Sequence, residues 1–152
     1  VAAPRVDFYV LPTSEPAARL HFACRLVEKA WLRRHRVRVQ LEPGGELEAF
    51  DELLWTFSDR SFVPHERLGA GQAVPEPAPA PVVLADDAGA DAADGDLIVN
   101  LADRLPPEPG RWQRIAEVVD ADDARRRRGR ERFRQYRERG WEPRTHDMRD
   151  EP

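Results

Sequence analysis

The order strand, helix, strand, helix over the first 55 residues most constrains what this chain can fold into. Val6 to Leu11 is rich in β-branched and aromatic residues and stops at Pro12, which predicts a buried strand. Thr13-Ser-Glu-Pro16 then offers a capping hydroxyl, an acid for a first helical turn, and a proline whose missing N–H costs nothing there. Leu20, Cys24, Val27 and Trp31 follow at spacings of four, three and four. They predict a helix to about His35 with these residues on its apolar face and Arg19, Arg25 and Arg33 elsewhere on the cylinder. Val37 to Leu41 alternates as a second strand, Pro43-Gly44-Gly45 ends it, and Leu47, Phe50 and Leu54 place a second helix over Glu46 to Trp55. Alternation of this kind builds parallel units, so the expected class is α/β, an open and mostly parallel sheet flanked by helices.

The remainder carries weaker signals. Ser61 to His65 reads as a short extended piece, Gly69 to Pro81 as a loop, and Val82 to Ala85 and Asp96 to Leu101 as strands joined by the acidic, Ala- and Gly-rich stretch Asp86 to Gly95. Trp112 to Ala116 suits a helical turn and Ile115 to Val119 a last strand. Asp122 and Asp123 suit the start of a helix that Gly140 ends, which leaves 1–141 as a single domain and 142–152 as a flexible tail.

Composition narrows the function classes. A chain of 152 residues with 41% hydrophobic side chains supports one packed domain. Its apolar runs are far too short for a membrane span, no export signal is visible, and a single cysteine, Cys24, cannot form an internal disulfide, so a cytoplasmic protein is expected. The net charge of -4 hides a split. Arg125 to Arg139 holds nine arginines against Glu131 and Glu138, a local net of +7 that leaves -11 for the rest. An acidic remainder repels phosphates beyond the basic face, which favours a small, localised anionic ligand over a duplex coat.

Chemistry that the fold class often carries is missing. The turn after the first strand contains no glycine, and Glu15 puts negative charge where a pyrophosphate would sit. The Gly69 and Gly71 pair precedes a Pro-rich loop rather than a helix, so no nucleotide cofactor is expected. His21, His35, His65 and His146 are scattered without metal-ligand spacing, which implies no metal site; His65 reads as a loop residue bonded to backbone and His146 as part of the tail. Cys24 on an apolar helix face reads as core rather than nucleophile, and Asp51 and Glu52 diverge on their helix, so no catalytic residues are assigned.

The informative segment is Arg125 to Arg139. On a helix Arg126, Arg130, Phe133, Arg134 and Arg137 are related by threes and fours, giving a basic stripe with an aromatic ring inside it. Three readings fit that stripe: a solvated helix anchored by Phe133 and Tyr136, a nucleic-acid-binding helix, and a surface that captures an acidic peptide.

Taken together, several stretches resemble the chi subunit of bacterial DNA polymerase III holoenzyme. They are Val6 to Leu11, Leu53-Leu-Trp55 with Ser61-Phe-Val-Pro-His65, Asp96 to Leu101, Glu117-Val-Val-Asp120, and Arg130 to Arg137 with Gly140-Trp141. The resemblance implies a sheet like that of nucleotide-binding (Rossmann-like) folds without a phosphate-binding loop. It also implies a non-catalytic accessory that ties the clamp-loader complex to single-stranded DNA-binding protein, any polymerase activity belonging to the holoenzyme and DNA contact being indirect. In the family the acidic C-terminal tail of single-stranded DNA-binding protein, ending in Pro-Phe, docks on the last helix. Carried over, Arg130 would clamp the terminal carboxylate, Phe133 would wall the pocket in place of the family's usual Tyr, and Arg126 and Arg134 would meet the tail's aspartates. Trp55 and Phe62 would form a partner surface, although packing of a loop onto the sheet explains them equally well; the family's other partner is the psi subunit, where one exists.

Overall fold

The computed structural model describes residues 3–60, 62–68, 81–86 and 96–150. Strand β1 (Arg5–Val10) leads through helix α1 (Pro16–Leu32) to β2 (Val37–Gln40), and α2 (Glu46–Thr56) leads to β3 (His65–Leu68). Then come β4 (Val82–Ala85), β5 (Leu97–Asn100), a 3-10 turn (Pro109–Arg111), β6 (Arg114–Val119), α3 (Asp123–Glu138), β7 (Arg144–Asp147) and a closing 3-10 turn (Met148–Asp150). The strands form one open, entirely parallel sheet in the order β3-β4-β2-β5-β6-β1-β7. Most of the loop expected over Gly69 to Pro81 and of the connection Asp86 to Gly95 lies outside the described residues, as does Ser61.

Because strand side chains alternate, the sheet has two faces with different cores. Val37, Val39, Leu84, Val99 and Val118 point to the side of α1 and α2, where they meet Ala23, Cys24, Val27, Phe50 and Leu54. Val6, Phe8, Ile98, Ile115 and Val119 point the other way and meet Trp112 and Tyr136 under α3. Strands buried on both faces explain the apolar runs that made the pattern legible.

Several expectations are corrected. Residues 144–147, expected within a flexible tail, form β7, which pairs in parallel with β1 from Asp7 to Val10. His146 within it stacks on Tyr9 with 5.0 Å between ring centroids, and its Nε2 lies 2.8 Å from Asp7 Oδ1. Polar Arg-Thr-His-Asp carries no strand pattern of its own; the unpaired edge of β1 and the buried Asp7 carboxylate hold it. The extended piece at Ser61 to His65 is displaced C-terminally: His65 opens β3, and Phe62 to Pro64 precede it. The helical turn lies at Pro109–Arg111 rather than Trp112 to Ala116. No hydroxyl caps α1, since Glu15 takes the cap position and Thr13 Oγ1 accepts from the Glu15 N–H at 3.1 Å.

The buried side of α1 is rotated from its expected place. Arg19, expected on the outer cylinder, is only 4% exposed. Its guanidinium donates to the Leu101 carbonyl at 3.1 Å and pairs with Glu46, so the charge is buried among acceptors from two other segments. Leu20 and Trp31 are only partly buried, whereas Ala23, Cys24, Val27 and Ala30 are buried.

Candidate partner-binding site

Helix α3 begins with a local cap, the Asp122 carboxylate accepting from the Arg125 N–H at 2.9 Å. Its inner side rests on a buried polar network. Arg132 Nε donates to Glu117 Oε1 at 3.0 Å, Tyr136 donates its hydroxyl to Glu117 Oε2 at 2.7 Å, and the Asn100 amide donates to both carboxylate oxygens. Burial, together with the Glu117 charge, pushes the Tyr136 phenol far above its ordinary range. Phe133 and Tyr136 also pack on Phe8, with centroids 5.2 and 5.9 Å away. The nine arginines are therefore not equivalent. Arg125 clamps Asp120 through two bonds of 2.8 and 2.9 Å, Arg128 reaches Asp103 at 2.9 Å, and Arg134 pairs with Glu131.

Arg126, Arg130 and Phe133 come together at an open cleft of about 230 Å³ between α3 and the β6-β1-β7 side of the sheet. Its floor is apolar, built from Phe8, Val10 and Val119, with Phe133 as one wall. Arg126 is held there by the backbone: its guanidinium donates to the carbonyls of Asp120 at 3.1 Å and Leu11 at 3.3 Å. Arg130 is exposed beside it. The arrangement offers a small apolar slot with two guanidiniums at its mouth, which suits an aromatic or aliphatic group bearing a carboxylate.

Arg134 lies outside this arrangement. It does not line the cleft, and its charge is turned toward Glu131 and Glu138 on its own helix. Conversely, the residue reading missed Gly129, Val10 and Thr145, which do line it. At Gly129 an added Cβ would meet Val119 Cγ2 at 3.1 Å, so the missing side chain lets α3 lie close to β6. A glycine interrupting an arginine run inside a helix costs about 1 kcal/mol relative to alanine, and that was the available signal. The β7 contribution carried none.

Trp55 and Phe62 meet at the other end of the strand order, beside β3. They are 42% and 67% exposed, with ring centroids 5.0 Å apart. Beneath them Trp55 packs on His65 at 4.1 Å, and His65 sits with Nδ1 2.7 Å from the Val63 carbonyl and Nε2 2.8 Å from Asp51. His65 is thus bonded to backbone as expected, but it is a strand residue that also fixes the α2 carboxylate. Cys24 is fully buried, and burial pushes its thiol up to about 12. Among the described residues no helix is long and apolar enough to cross a membrane.

Comparison with known proteins places these features in a family. A family model described as DNA polymerase III chi subunit, HolC, matches residues 4–144. DNA polymerase III subunit chi of Pseudomonas aeruginosa is 37% identical over 147 residues, covering 95% of this chain and 96% of that protein. The subunits of the same name from Haemophilus influenzae and Escherichia coli are 27% identical over 146 residues and 25% identical over 118, covering 96% and 78% of this chain and 99% and 78% of their own lengths. With its matched region spanning the sheet from β1 into β7, the chain belongs to the DNA polymerase III chi subunit family.

Proposed function

We propose that this protein is a non-catalytic accessory subunit of the replicative polymerase assembly that captures the acidic C-terminal tail of single-stranded DNA-binding protein in the cleft beside α3, and so links that protein to the clamp loader. The observation that carries the reading is the meeting of an apolar slot with Arg126 and Arg130 at one opening. A tail ending in an aromatic residue with a free carboxylate presents both complements within one residue. The slot holds the ring out of water, and a guanidinium takes the carboxylate through two parallel N–H donors. Arg130 is the clamp, Phe133 the wall, and Arg126, fixed on two carbonyls, the pre-oriented neighbour. Pairing of Arg125, Arg128, Arg132 and Arg134 with carboxylates weighs against the alternative in which the whole helix acts as a nucleic-acid-binding stripe.

The exposed Trp55 and Phe62 rings are proposed as a second partner surface, for psi where that subunit exists, since paired aromatics outside a core anchor interfaces. They and the α3 cleft belong to opposite ends of the strand order, so both partners could be held together. A cytoplasmic location goes with this role.

The test is titration of the full chain with a short acidic peptide ending in Pro-Phe, beside the same peptide amidated at its C-terminus. Tail capture expects a large loss on amidation and partial survival in salt, because screening acts over roughly 8 Å at physiological ionic strength and leaves the apolar slot untouched. Equal binding of the two peptides, or complete loss at moderate salt, would rule out the carboxylate clamp.

A further inference from the structure

A second basic surface lies on the face of the sheet that α3 does not cover. From residue 25 to residue 36 the chain holds five Arg and Lys against Glu28 alone, a local net of +4 within what looks, by total charge, like an acidic remainder. Arg25 and Lys29 on α1 and Arg33 at its C-terminal cap recur every four residues, so their backbone positions step along one side of the helix by about 6 Å. All three are exposed, and none is engaged in an ion pair among the described residues. They rim a cleft of about 310 Å³ whose apolar floor includes Tyr9, Phe22, Leu26 and Met148. No acidic side chain lines it among the described residues.

Two contacts order the cleft. The Arg25 guanidinium sits 5.7 Å from the Phe22 ring centroid. Arg114, on the far side, donates to the Tyr9 hydroxyl at 2.8 Å and lies 3.3 Å from Asp7, a carboxylate fully buried and shared with Arg5 and His146. The rim therefore keeps a positive excess.

We propose that this cleft binds single-stranded nucleic acid, with successive phosphates along Arg25, Lys29 and Arg33 and a base lodged against the floor at Phe22 and Leu26. A row of cations at a regular step matches a polymer with regularly spaced anions. Lys29 at its centre is a point donor suited to phosphate rather than a planar fork for a lone carboxylate. Aromatic rings beside a basic row serve base faces without reading sequence, and a duplex hides those faces in its stack. The proposal is independent of tail capture at α3, since it uses neither Arg126 nor Arg130.

The experiment measures anisotropy of a labelled oligothymidylate of about 12 nucleotides with the full chain, within the range of single-strand site sizes. The Lys29→Glu, Arg33→Glu double variant replaces only exposed side chains, and thermal melts verify that it folds. It is expected to lose oligonucleotide affinity at least tenfold while binding the Pro-Phe peptide as the unaltered chain does. Lys29→Gln is expected to give a smaller loss. For three neutralised phosphates the logarithm of affinity should fall against the logarithm of salt with a slope of about -2. The proposal is overturned if the oligonucleotide does not bind, if the double variant binds it normally, if its binding is lost in Arg130→Ala instead, or if a duplex or polyaspartate competes as well as the single strand.

Discussion

Helix α1 covers its face of the sheet with Ala23, Cys24, Val27 and Ala30, whereas α3 covers the other face with Gly129, Arg132 and Tyr136. The strands beneath are the same; only the alternation of their side chains differs. Under α1 the contact is apolar throughout the centre, with Arg19 at its margin bonded to Leu101 and Glu46. Under α3 a ring of apolar residues surrounds a buried carboxylate, Glu117, that is bonded to Arg132, Tyr136 and Asn100. The contrast teaches that an arginine-rich helix need not be a solvated one. Its inner arginine, Arg132, acts as a core residue, Arg125 and Arg128 bind the carboxylates of Asp120 and Asp103, and Arg126 and Arg130 line the cleft at the β1-β7 side.

The largest losses of stability are expected from removing one buried side chain on each face. Phe50→Ala on the inner side of α2 should cost about 3–5 kcal/mol as lost burial plus a cavity. Arg132→Ala should also cost about 3–5 kcal/mol, because Glu117 would be left as a buried charge without its cation. Denaturant unfolding measures both. Their chemistry separates in the double variant Arg132→Ala, Glu117→Gln, which should recover much of the second loss, while no charge removal should rescue Phe50→Ala. A double variant as unstable as Arg132→Ala would show that Arg132 stabilises through packing alone.

A smaller effect should come from the edge. Burial by itself would raise the Asp7 pKa, but the His146 hydrogen bond and the charges of Arg5 and Arg114 outweigh it and hold the carboxylate below its ordinary value. A depressed folded value means that Asp7 stabilises the fold fully above the ordinary carboxylate pKa of about 3.9 and ceases to do so as pH falls through the folded value. Unfolding followed from pH 7 toward pH 2 should therefore show Asp7→Asn less stable by roughly 1.5–3 kcal/mol near neutrality, with the gap closing in acid. Hydrogen exchange should report the loss first in β7, where His146 lies.

At the ligand margin, Arg130→Ala should weaken the Pro-Phe peptide by roughly ten- to a hundredfold, the equivalent of a charge-assisted bond of about 1.5–3 kcal/mol. Arg127→Ala, which removes the same charge from an exposed position outside the cleft, should change it by less than about threefold, in keeping with ordinary surface substitutions. Equal losses would reduce α3 to a diffuse basic field. The smallest effect expected is at Cys24: with its thiol buried and pushed up to about 12, alkylating reagents should leave the folded chain unmodified at neutral pH.

By itself the sequence determined the elements whose signal is local. The β-branched run at Val6 to Leu11, the helical spacing of Leu47, Phe50 and Leu54, and the Asp122 cap before the Arg-rich helix are each read within a dozen residues, and strands buried on two faces cannot hide their apolar composition. The same local spacing brought Arg126, Arg130 and Phe133 onto one side of α3. What only the tertiary structure decided depends on partners far away in the chain. Arg-Thr-His-Asp becomes a strand because β1 has an unpaired edge and Asp7 awaits His146, 139 positions distant. Arg19 and Arg132 are buried because Glu46 and Glu117 are there to meet them, and no periodicity within a helix announces a carboxylate on another element. Periodicity reports which residues share a side of a helix; which side faces the sheet, and which charges find partners on it, is fixed only when the elements pack.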